Sequence, residues 1–371
     1  MLVKRIGTIT WISFYNFGTF LQAYALQQIL KNRGFENAII SDKAIVRQMI
    51  MQRYGFTFYI KRFLYDIYER VFVTSCYAKG VRKSCSMYKQ FAAMFLTIDE
   101  NWKNFKNLNS KYDIFVCGSD QIWSPVKGIF NPFYYLSFVN KKKIAYAPSI
   151  GVNSYPNELK DKVKSLLDSF SSISVREENG AKLLRSFINK EIATVLDPTL
   201  LLTTAQWESI IEEKEKVEPY VLCYLLTYNQ IYIDFVSKYA KEQNLKLKFF
   251  ITDKRYLVYA DIPLFVGPIE FLEEIHAASY FFTDSFHGTI FALQFKKRFA
   301  TFKRFKDIDD KNQNSRLDNL FTKLNLKKYF IDEINLSEIS QLPKIDYDRV
   351  HAILDEERVK SISFLLNSIN I

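Results

Sequence analysis

Residues 5–41 read RIGTITWISFYNFGTFLQAYALQQILKNRGFENAIIS, and this stretch decides the fold class. Its first part alternates like a β-strand, and the apolar positions from Leu21 to Leu30 then recur with the spacing of one helix face. Gly34 is placed to end that helix, and residues 35–41 form another apolar strand. A strand, a helix and a strand in this order predict two parallel strands joined by a right-handed crossover.

The same alternation continues along the chain. In the first half, strands are predicted at 112–117, 143–147, 172–175 and 193–196, with helices at 156–169 and 179–187. In the second half, strands are predicted at 220–226, 246–251, 278–282 and 299–302, with helices at 231–243, 268–278 and 287–295. This pattern predicts an α/β protein of two Rossmann-like domains facing each other across a cleft, with ligands at the carboxyl ends of the strands.

The domain boundaries follow from breaks in the pattern. An N-terminal domain is predicted at 1–203, with a basic and aromatic helical insertion at 43–89. A polar, acidic stretch that ends in proline predicts a linker at 204–219. The C-terminal domain is predicted at 220–345, followed by a C-terminal helix at 346–371.

Composition excludes several classes of protein. The chain of 371 residues is 48% hydrophobic, which is enough for two cores and argues against disorder. The sequence contains no run of about 18 apolar residues that would predict a membrane-spanning helix, and the N-terminus lacks a secretory signal. We therefore expect a cytoplasmic protein. The four cysteines show no CxxC pair or metal-ligand spacing, and we expect free thiols and no metal site.

The formal net charge of +11 indicates an anionic partner. Between residues 43 and 89, ten Lys or Arg outnumber two acidic residues, which places a net +8 there beside many aromatic residues. One interpretation is a helical hairpin with a solvated basic face, and the other is peripheral contact with an anionic membrane. Nucleic acid is disfavoured because no nucleic-acid-binding signature accompanies the charge.

The first candidate site lies where the first strand turns into the first helix. Asn16, Gly18 and Thr19 stand at this turn, and a glycine lets backbone N–H groups approach an anion or a sugar oxygen closely. Ordinary helix capping by Asn16 and Thr19 is the alternative.

A second polar cluster directly follows the apolar strand DIFVC. Asp120 is placed to accept a proton from a sugar hydroxyl, and Trp123 offers a flat face to a sugar ring. A turn stabilised by Asp120 with a core tryptophan is the alternative. The candidate residues of this cluster are Gly118, Ser119, Asp120, Gln121 and Trp123.

A third candidate is Arg176, just past the apolar strand 172–175. An arginine at this position is suited to a bidentate grip on a carboxylate or phosphate. An ion pair with Glu177 or Glu178 is the alternative.

The fourth motif, at 283–290, again joins a strand to a helix. It contains Asp284, Ser285, His287 and Gly288, and His287 is one of only three histidines. A histidine at a helix N-terminus can act as a general acid when a bound anion such as phosphate supports its protonated form. A purely structural histidine is the alternative.

Together these segments resemble the polysaccharide pyruvyl transferase family. The segments occur in the family's order and cover most of the chain from residue 7 to about 325. They are NFGTFLQAYAL, FVCGSDQIW, APSIG, SVRE, LDPTLLL, TDSFHGTIFAL and NSRLDNL.

The resemblance implies a GT-B-like fold and an enzyme that uses phosphoenolpyruvate as co-substrate, with no further cofactor. The product would be a pyruvate ketal on a capsular or surface polysaccharide precursor. His287 would protonate the donor, Arg176 and Arg316 would hold its carboxylate and phosphate, and Asp120 or Asp284 would deprotonate the acceptor hydroxyl.

One departure from the family bears on the donor. Several members carry an arginine two residues before the histidine, where this chain has Ser285. The phosphate contact would then fall to Arg176, Arg316, Lys303 or Arg304.

Two alternative functions stay open. One is a GT-B glycosyltransferase that uses a sugar nucleotide, and the other is a non-catalytic glycan-binding subunit. The basic segment is compatible with a lipid-linked acceptor at the inner membrane face.

Overall fold

The computed structural model describes residues 3–55, 61, 75–100, 104–126, 130–212, 218–305 and 314–370. The chain divides into two compact units. The first unit comprises Met1–Ala78, Lys89–Leu201 and Glu357–Ile371, and the second comprises Lys79–Tyr88 and Leu202–Glu356.

The first unit contains a seven-stranded sheet in which all strand pairs are parallel. The spatial order of its strands is β3-β2-β1-β4-β5-β6-β7. Strands β2 and β3 therefore lie on one side of β1, and β4 to β7 lie on the other side. The strands are β1 (Arg5–Ile9), β2 (Glu36–Ile40), β3 (Ile98–Asp99), β4 (Ile114–Cys117), β5 (Lys142–Ala145), β6 (Ser172–Val175) and β7 (Ala193–Thr194). The helices are α1 (Phe17–Asn32), α2 (Lys43–Tyr54), α3 (Cys76–Phe95), α4 (Phe105–Lys111), α5 (Asn157–Asp168) and α6 (Glu178–Arg185).

The second unit repeats this topology with a six-stranded parallel sheet in the order β10-β9-β8-β11-β12-β13. The strands are β8 (Tyr220–Tyr224), β9 (Lys246–Phe250), β10 (Ile262–Leu264), β11 (Tyr280–Thr283), β12 (Arg298–Phe302) and β13 (Phe330–Ile331). The helices are α7 (Thr204–Glu208), α8 (Gln230–Glu242), α9 (Pro268–Ala277), α10 (Phe286–Gln294), α11 (Ser315–Lys323) and α12 (Tyr347–Asn370), the last of which continues into the first unit.

Both sheets have the strand order of a Rossmann-like fold, so the predicted α/β class with two such domains is confirmed. That the domains face each other across a cleft stays a prediction. In such sheets ligands bind beyond the carboxyl ends of the two strands where the order reverses. These switch points lie between β1 and β4 in the first unit and between β8 and β11 in the second.

The β1–α1–β2 unit shows why the sequence folds this way locally. Leu21, Leu26 and Leu30 on α1 are fully buried, as their helical spacing predicted. The chain leaves the helix through Gly34, whose φ of +81° is a left-handed conformation that glycine adopts without strain. A Cβ atom at Gly7 would lie 2.9 Å from the Ile40 side chain, so the absence of a side chain at this position of β1 leaves room for Ile40 of β2.

The predicted linker at 204–219 needs correction. Residues 204–208 form α7, and its Trp207 is fully buried with its ring edge 5.0 Å from the ring of Phe291. The second unit therefore begins at Leu202 and not at 220. The acidic composition misled because all but one of the acidic residues follow α7, while a single tryptophan packs the helix into the core.

The predicted C-terminal helix at 346–371 is confirmed as α12 (Tyr347–Asn370), but it is divided between the two units. From Glu357 onward α12 belongs to the first unit, where Ser361 Oγ accepts a hydrogen bond from the Leu196 amide (3.0 Å) and Arg358 Nε donates to the carbonyl of Leu200 (2.9 Å). These contacts join positions more than 150 residues apart in sequence. Sequence periodicity cannot reveal such pairings.

The predicted insertion at 43–89 is divided as well. Its first helix belongs to the first unit, whereas Lys79–Tyr88 belongs to the second unit, where Ser84 Oγ donates to the carbonyl of Val266 at 2.6 Å. The rest of the segment, at 56–60 and 62–74, lies outside the described residues. None of the described helices combines the length and the apolarity needed to cross a membrane.

Candidate active site

At the first switch point, α1 is tied to the end of β4. Thr19 Oγ1, in the first turn of α1, donates to Asp120 Oδ2 at 2.6 Å, and Thr10 Oγ1, after β1, donates to the carbonyl of Ser119 at 2.7 Å. Asn16 caps the helix by accepting from the Thr19 amide at 3.3 Å. The capping interpretation is therefore confirmed for Asn16, whereas Thr19 uses its side chain to hold Asp120.

Asp120 occupies a strained backbone conformation with φ of +79°. Such strain costs on the order of 1–3 kcal/mol and persists only where surrounding contacts hold it. The Asp120 carbonyl accepts from the Ser149 amide at 2.7 Å, and its Oδ1 accepts from the Gln121 amide at 2.8 Å. Its side chain is 10% exposed.

Two neighbouring candidates support this turn through close packing. A side chain at Gly118 would lie 3.2 Å from Thr10 and 3.3 Å from Leu26, so glycine lets the end of β4 pass close to β1 and α1. Gln121 extends over Gly151, where an added Cβ would meet its amide nitrogen at 2.3 Å.

Arg176 follows β6 and is held by three carboxylates. Its side chain has no exposed surface, and its Nη1 lies 2.7 Å from Asp197 Oδ2. Asp120 Oδ1 and Glu177 Oε2 lie 3.9 and 3.8 Å from other guanidinium nitrogens. Burial acts to lower the pKa of Arg176, but the carboxylates of Asp197, Asp120 and Glu177 outweigh it and raise that pKa. The ion-pair alternative is confirmed for Glu177, while the closest partner is Asp197, which was not predicted. A direct grip on substrate would require these pairs to break.

Asp197 and Glu177 extend the network to neighbouring strand ends. Ser119 Oγ donates to Asp197 Oδ2 at 3.0 Å, and Thr199 donates from both its amide and its hydroxyl to Asp197 Oδ1. Glu177 Oε1 accepts from the Ser149 hydroxyl and from the Ile150 and Gly151 amides. Neither carboxylate was predicted as a site residue, although both stand in the quoted SVRE and LDPTLLL segments.

The sugar-stacking role predicted for Trp123 is wrong. The side chain is only 1% exposed, its ring stacks on Tyr135 at 5.1 Å, and its Nε1 donates to the carbonyl of Tyr134 at 3.1 Å. The chain turns inward after Gln121, so this tryptophan packs in the core, as the alternative interpretation had it.

At the second switch point, Asp284 joins the ends of β8 and β11. Its two carboxylate oxygens accept from the amides of Leu226 (2.7 Å) and Thr227 (3.0 Å). Burial raises the pKa of the Asp284 carboxyl to about 6, against the lowering effect of Arg304 and these amides. Arg304 Nε lies 3.7 Å from Asp284 Oδ2 and donates to Thr227 Oγ1 at 3.0 Å, with about a quarter of its side chain exposed.

His287 is the second residue of α10, whose N-terminus faces this switch point. Ser285 caps the helix by accepting from the Gly288 amide at 3.2 Å. A side chain at Gly288 would lie 2.7 Å from Thr283 Oγ1, so only glycine lets α10 start so close to β11. The ring of His287 is mostly buried and packs edge-on against Phe286.

Arg316 lies in the first turn of α11, with its guanidinium carbon 5.5 Å from the centre of the Phe286 ring. The structure thus brings Arg316 to the first turn of α10, which carries His287, and brings Arg304 to Asp284, just before that helix. Lys303, also considered for the donor phosphate, places its amine over the ring of Phe330.

In the part of the chain that the structure describes, no cluster of three or more His, Cys, Asp or Glu side chains could hold a metal ion. The predicted site residues form two groups. In the first unit they lie around Asp120, except for Trp123 in the core. The second group lies in the second unit and consists of Asp284, Ser285, His287, Gly288 and Arg316.

Comparison with known proteins gives one sequence match and several structural ones. The sequence profile of the polysaccharide pyruvyl transferase family matches residues 16–304. Among solved structures, a UDP-N-acetylglucosamine 2-epimerase has 10% sequence identity and a TM-score of 0.52, with 98% of this chain and 95% of the epimerase covered. No curated protein matches the chain.

A structure described as an S. aureus MnaA-UDP complex is similar at 11% identity and a TM-score of 0.51, with 100% of this chain and 98% of MnaA covered. At these identities the likeness shows the shared fold alone. The sequence match spans more than half of the chain, and its boundaries include Asn16, Asp120, Arg176, His287 and Arg304. The chain belongs to the polysaccharide pyruvyl transferase family.

Proposed function

We propose that this chain transfers a pyruvyl group from phosphoenolpyruvate to a saccharide, forming a pyruvate ketal on a precursor of a capsular or surface polysaccharide. The observation that carries the proposal beyond family membership is that Arg304 contacts Asp284 and Arg316 contacts Phe286, both within three residues of His287. Phosphoenolpyruvate carries a carboxylate and a phosphate, and it needs both cations and an acid.

The donor fits the second unit on electrostatic grounds. Arg304 donates to Thr227 Oγ1 through Nε, and this contact orients the guanidinium while leaving its Nη groups for a ligand oxygen. The N-terminus of α10 adds a positive dipole end beside it. We assign donor binding to Arg304 and Arg316 in place of Ser285, whose hydroxyl caps α10.

The acceptor fits the first unit for the opposite reason. The carboxyl edge of its sheet holds Asp120, Glu177 and Asp197 around the cation Arg176. An excess of carboxylates repels an anionic donor, but it accepts hydrogen bonds from sugar hydroxyls. Asp120 is the least buried of the three carboxylates, with 10% of its side chain exposed, and is therefore our candidate base on this edge.

The chemistry balances with these groups. His287 gives a proton to C3 of the enolpyruvate while an acceptor hydroxyl oxygen adds to C2 and loses its proton to a carboxylate base, for which Asp120 and Asp284 are the candidates. A second hydroxyl of the same sugar then displaces phosphate from C2, which closes the ketal ring. Its proton leaves with the phosphate, the base releases its proton to solvent, and His287 is reprotonated from solvent. Arg304 and Arg316 stabilise the departing phosphate through charge-assisted hydrogen bonds.

Melting temperatures with and without millimolar phosphoenolpyruvate test the donor. A ligand at about 100 times its Kd adds roughly 2.7 kcal/mol, which raises the melting temperature by a few degrees. We expect this shift in the wild type and its loss in Arg304→Ala. Phosphate release that requires both phosphoenolpyruvate and a saccharide would complete the test.

Two other outcomes would redirect the proposal. A shift with nucleoside-diphosphate sugars alone would indicate glycosyl transfer, the alternative enzyme function that the sequence leaves open. Saccharide binding without a shift for any donor would indicate a non-catalytic glycan-binding subunit.

The place of action is also a proposal. We propose a cytoplasmic enzyme that meets a lipid-linked acceptor at the inner membrane face, supported by the net positive charge of residues 43–89. Sedimentation with anionic liposomes at low salt is the expected result, and failure to sediment there would remove the membrane from the proposal.

A further inference from the structure

A cavity of about 250 Å³ lies at the amino-terminal edge of the sheet in the second unit. It is lined by Tyr280 and Arg298, the first residues of β11 and β12, whereas Asp284 and Arg304 follow the opposite ends of these strands. Four residues of extended chain separate the Cα atoms of Tyr280 and Asp284 by about 13 Å. The cavity is therefore separate from the second switch point.

Aromatic side chains from α8, β11 and β12 and from the turn before β13 line the cavity. The ring of Tyr239 packs edge-on against Tyr280 at 5.2 Å and against Phe282 at 5.1 Å. The ring of Phe299 stacks on that of Tyr329 at 5.9 Å. Because these rings already hold one another in place, they lose little conformational entropy when a ligand covers them.

The segment at 339–347 supplies a further wall and is fixed at two points. Tyr329 Oη donates to the carbonyl of Pro343 at 2.7 Å, and Tyr347 Oη donates to the carbonyl of Lys297. The cavity-lining residues beside these anchors include Leu342, Lys344 and Ile345. The walls are thus formed before a ligand arrives, as is usual for small-molecule sites.

The charge of the cavity is positive. Lys296, Lys297, Arg298 and Lys344 line it, and none of its described lining residues is acidic. Lys297 Nζ donates to a backbone carbonyl of α9, and Arg298 Nη1 donates to the Tyr280 hydroxyl at 3.1 Å. Lys296 and Lys344 are exposed, and neither forms a salt bridge within the described ranges of the chain. These two ammonium groups therefore attract an anion.

We propose that this cavity binds a compact aromatic anion. The ring of the ligand lies between the aromatic walls, and its anionic group meets Lys296 and Lys344. The volume is just below the range of roughly 300–1,000 Å³ for pockets of drug-sized ligands, which limits the ligand to about two fused rings. The proposal is independent of the proposed function, because it concerns the opposite edge of the sheet.

The lining favours a flat ring over other anions. Aromatic pairs prefer edge-to-face and offset-stacked arrangements, and walls made of tyrosine and phenylalanine rings offer both to a flat ligand. A sugar phosphate needs hydrogen-bond partners around its ring, but the hydroxyls of Tyr329 and Tyr347 are already given to backbone carbonyls.

Isothermal titration calorimetry of the full chain with 2-naphthoate, 2-naphthamide and decanoate tests the proposal. We expect one 2-naphthoate to bind per chain, and the other two compounds to bind at least about tenfold more weakly, because naphthamide lacks the charge and decanoate lacks the rings. No binding of 2-naphthoate at millimolar concentration overturns the proposal. Equal binding of naphthamide, or tighter binding of decanoate, overturns it as well.

Two lysine variants locate the anionic group. Lys296→Gln and Lys344→Gln should each weaken 2-naphthoate binding about fivefold, the upper range for an exposed charge contact, and leave naphthamide binding unchanged. Lys254→Gln is the matched control, since Lys254 is an exposed lysine of the same unit that follows the carboxyl end of β9. Equal effects of all three variants would contradict a site at this cavity.

A further variant separates the cavity from the donor site. Arg304→Ala should bind 2-naphthoate like the wild type, whether or not phosphoenolpyruvate is the donor. Loss of 2-naphthoate binding in Arg304→Ala, with binding intact in the two lysine variants, would place the anion at the second switch point and overturn the proposal.

Discussion

The two switch points share a topology but differ in charge. At the first switch point, the buried cation of Arg176 is surrounded by Asp120, Glu177 and Asp197. At the second switch point, the buried carboxylate of Asp284 is approached by Arg304. The strand order fixes where a site forms in each sheet, and the residues that follow each strand decide which ligand charge it accepts.

The difference also concerns rigidity. Around Arg176 the carboxylates are satisfied by hydroxyls and amides from three further strand ends, which fixes the strained turn at Asp120. Arg304, by contrast, has about a quarter of its side chain exposed. The first edge therefore holds a fixed geometry, and in our proposal the second edge receives an anion.

The largest expected effect comes from removing the acid. His287→Ala should lower kcat by about 10² to 10⁴, the usual contribution of one positioned proton donor. His276→Ala is the control, because its ring contacts Glu208 at 3.3 Å in the second unit and has no role in the scheme. Phosphate release gives the rate, and near wild-type turnover in His287→Ala would contradict the acid assignment.

Removing the buried cation at the first switch point should lower the free energy of unfolding. Arg176→Leu leaves buried carboxylates without their cation, which typically costs about 3–5 kcal/mol of unfolding free energy. Lys238→Leu is the control: it breaks an exposed pair with Glu242 and should cost at most about 1 kcal/mol. Urea denaturation measures both, and equal losses would show that the cluster is not the stabilising unit described here.

The buried carboxyl of Asp284 should make the free energy of unfolding depend on pH. The pKa of Asp284 is raised to about 6, so its contribution to stability is fully present below about pH 4 and is lost as the pH rises through 6. Relative to Asp284→Asn, which does not titrate, the wild type should lose on the order of 3 kcal/mol between pH 4 and 7.5. A constant difference in unfolding free energy across this range would show that Asp284 ionises normally.

The smallest predicted effect tests the donor cations. Arg304→Ala should raise the KM for phosphoenolpyruvate by about 10- to 100-fold, the range for losing one charge-assisted hydrogen bond. Arg298→Ala is the matched control, since Arg298 is an exposed arginine at the other end of β12. If both arginines have equal effects, the donor responds to overall charge and not to a site at the switch point.

Local sequence signals predicted much of the fold. The strand at Ser172–Val175 and the helices at Phe17–Asn32 and Pro268–Ala277 were expected to within about two residues, because apolar periodicity and capping residues are encoded locally. The short edge strands at Ile98–Asp99 and Phe330–Ile331 were not expected. Two residues carry no periodicity, and these pairs become strands only because a neighbouring strand binds them.

The candidate site divides in the same way. The motifs placed Asp120, Arg176 and His287 at strand ends, where the structure has them. The sequence could not show that Trp123 turns into the core while Phe14 and Tyr15 face outward, since aromatic residues are compatible with both environments. Nor could it show that Arg176 is held by Asp197, 21 residues away.

The sequence by itself determined the family, the two Rossmann-like units and the strand ends at which the chemistry-bearing residues stand. Periodicity, glycine placement and ordered motifs depend on neighbours within a few residues, so a single chain displays them. Only the tertiary structure decided which charges meet, which aromatic rings are exposed and which unit receives the C-terminal part of α12. These depend on packing between distant segments, where burial and electrostatic pairing set the outcome.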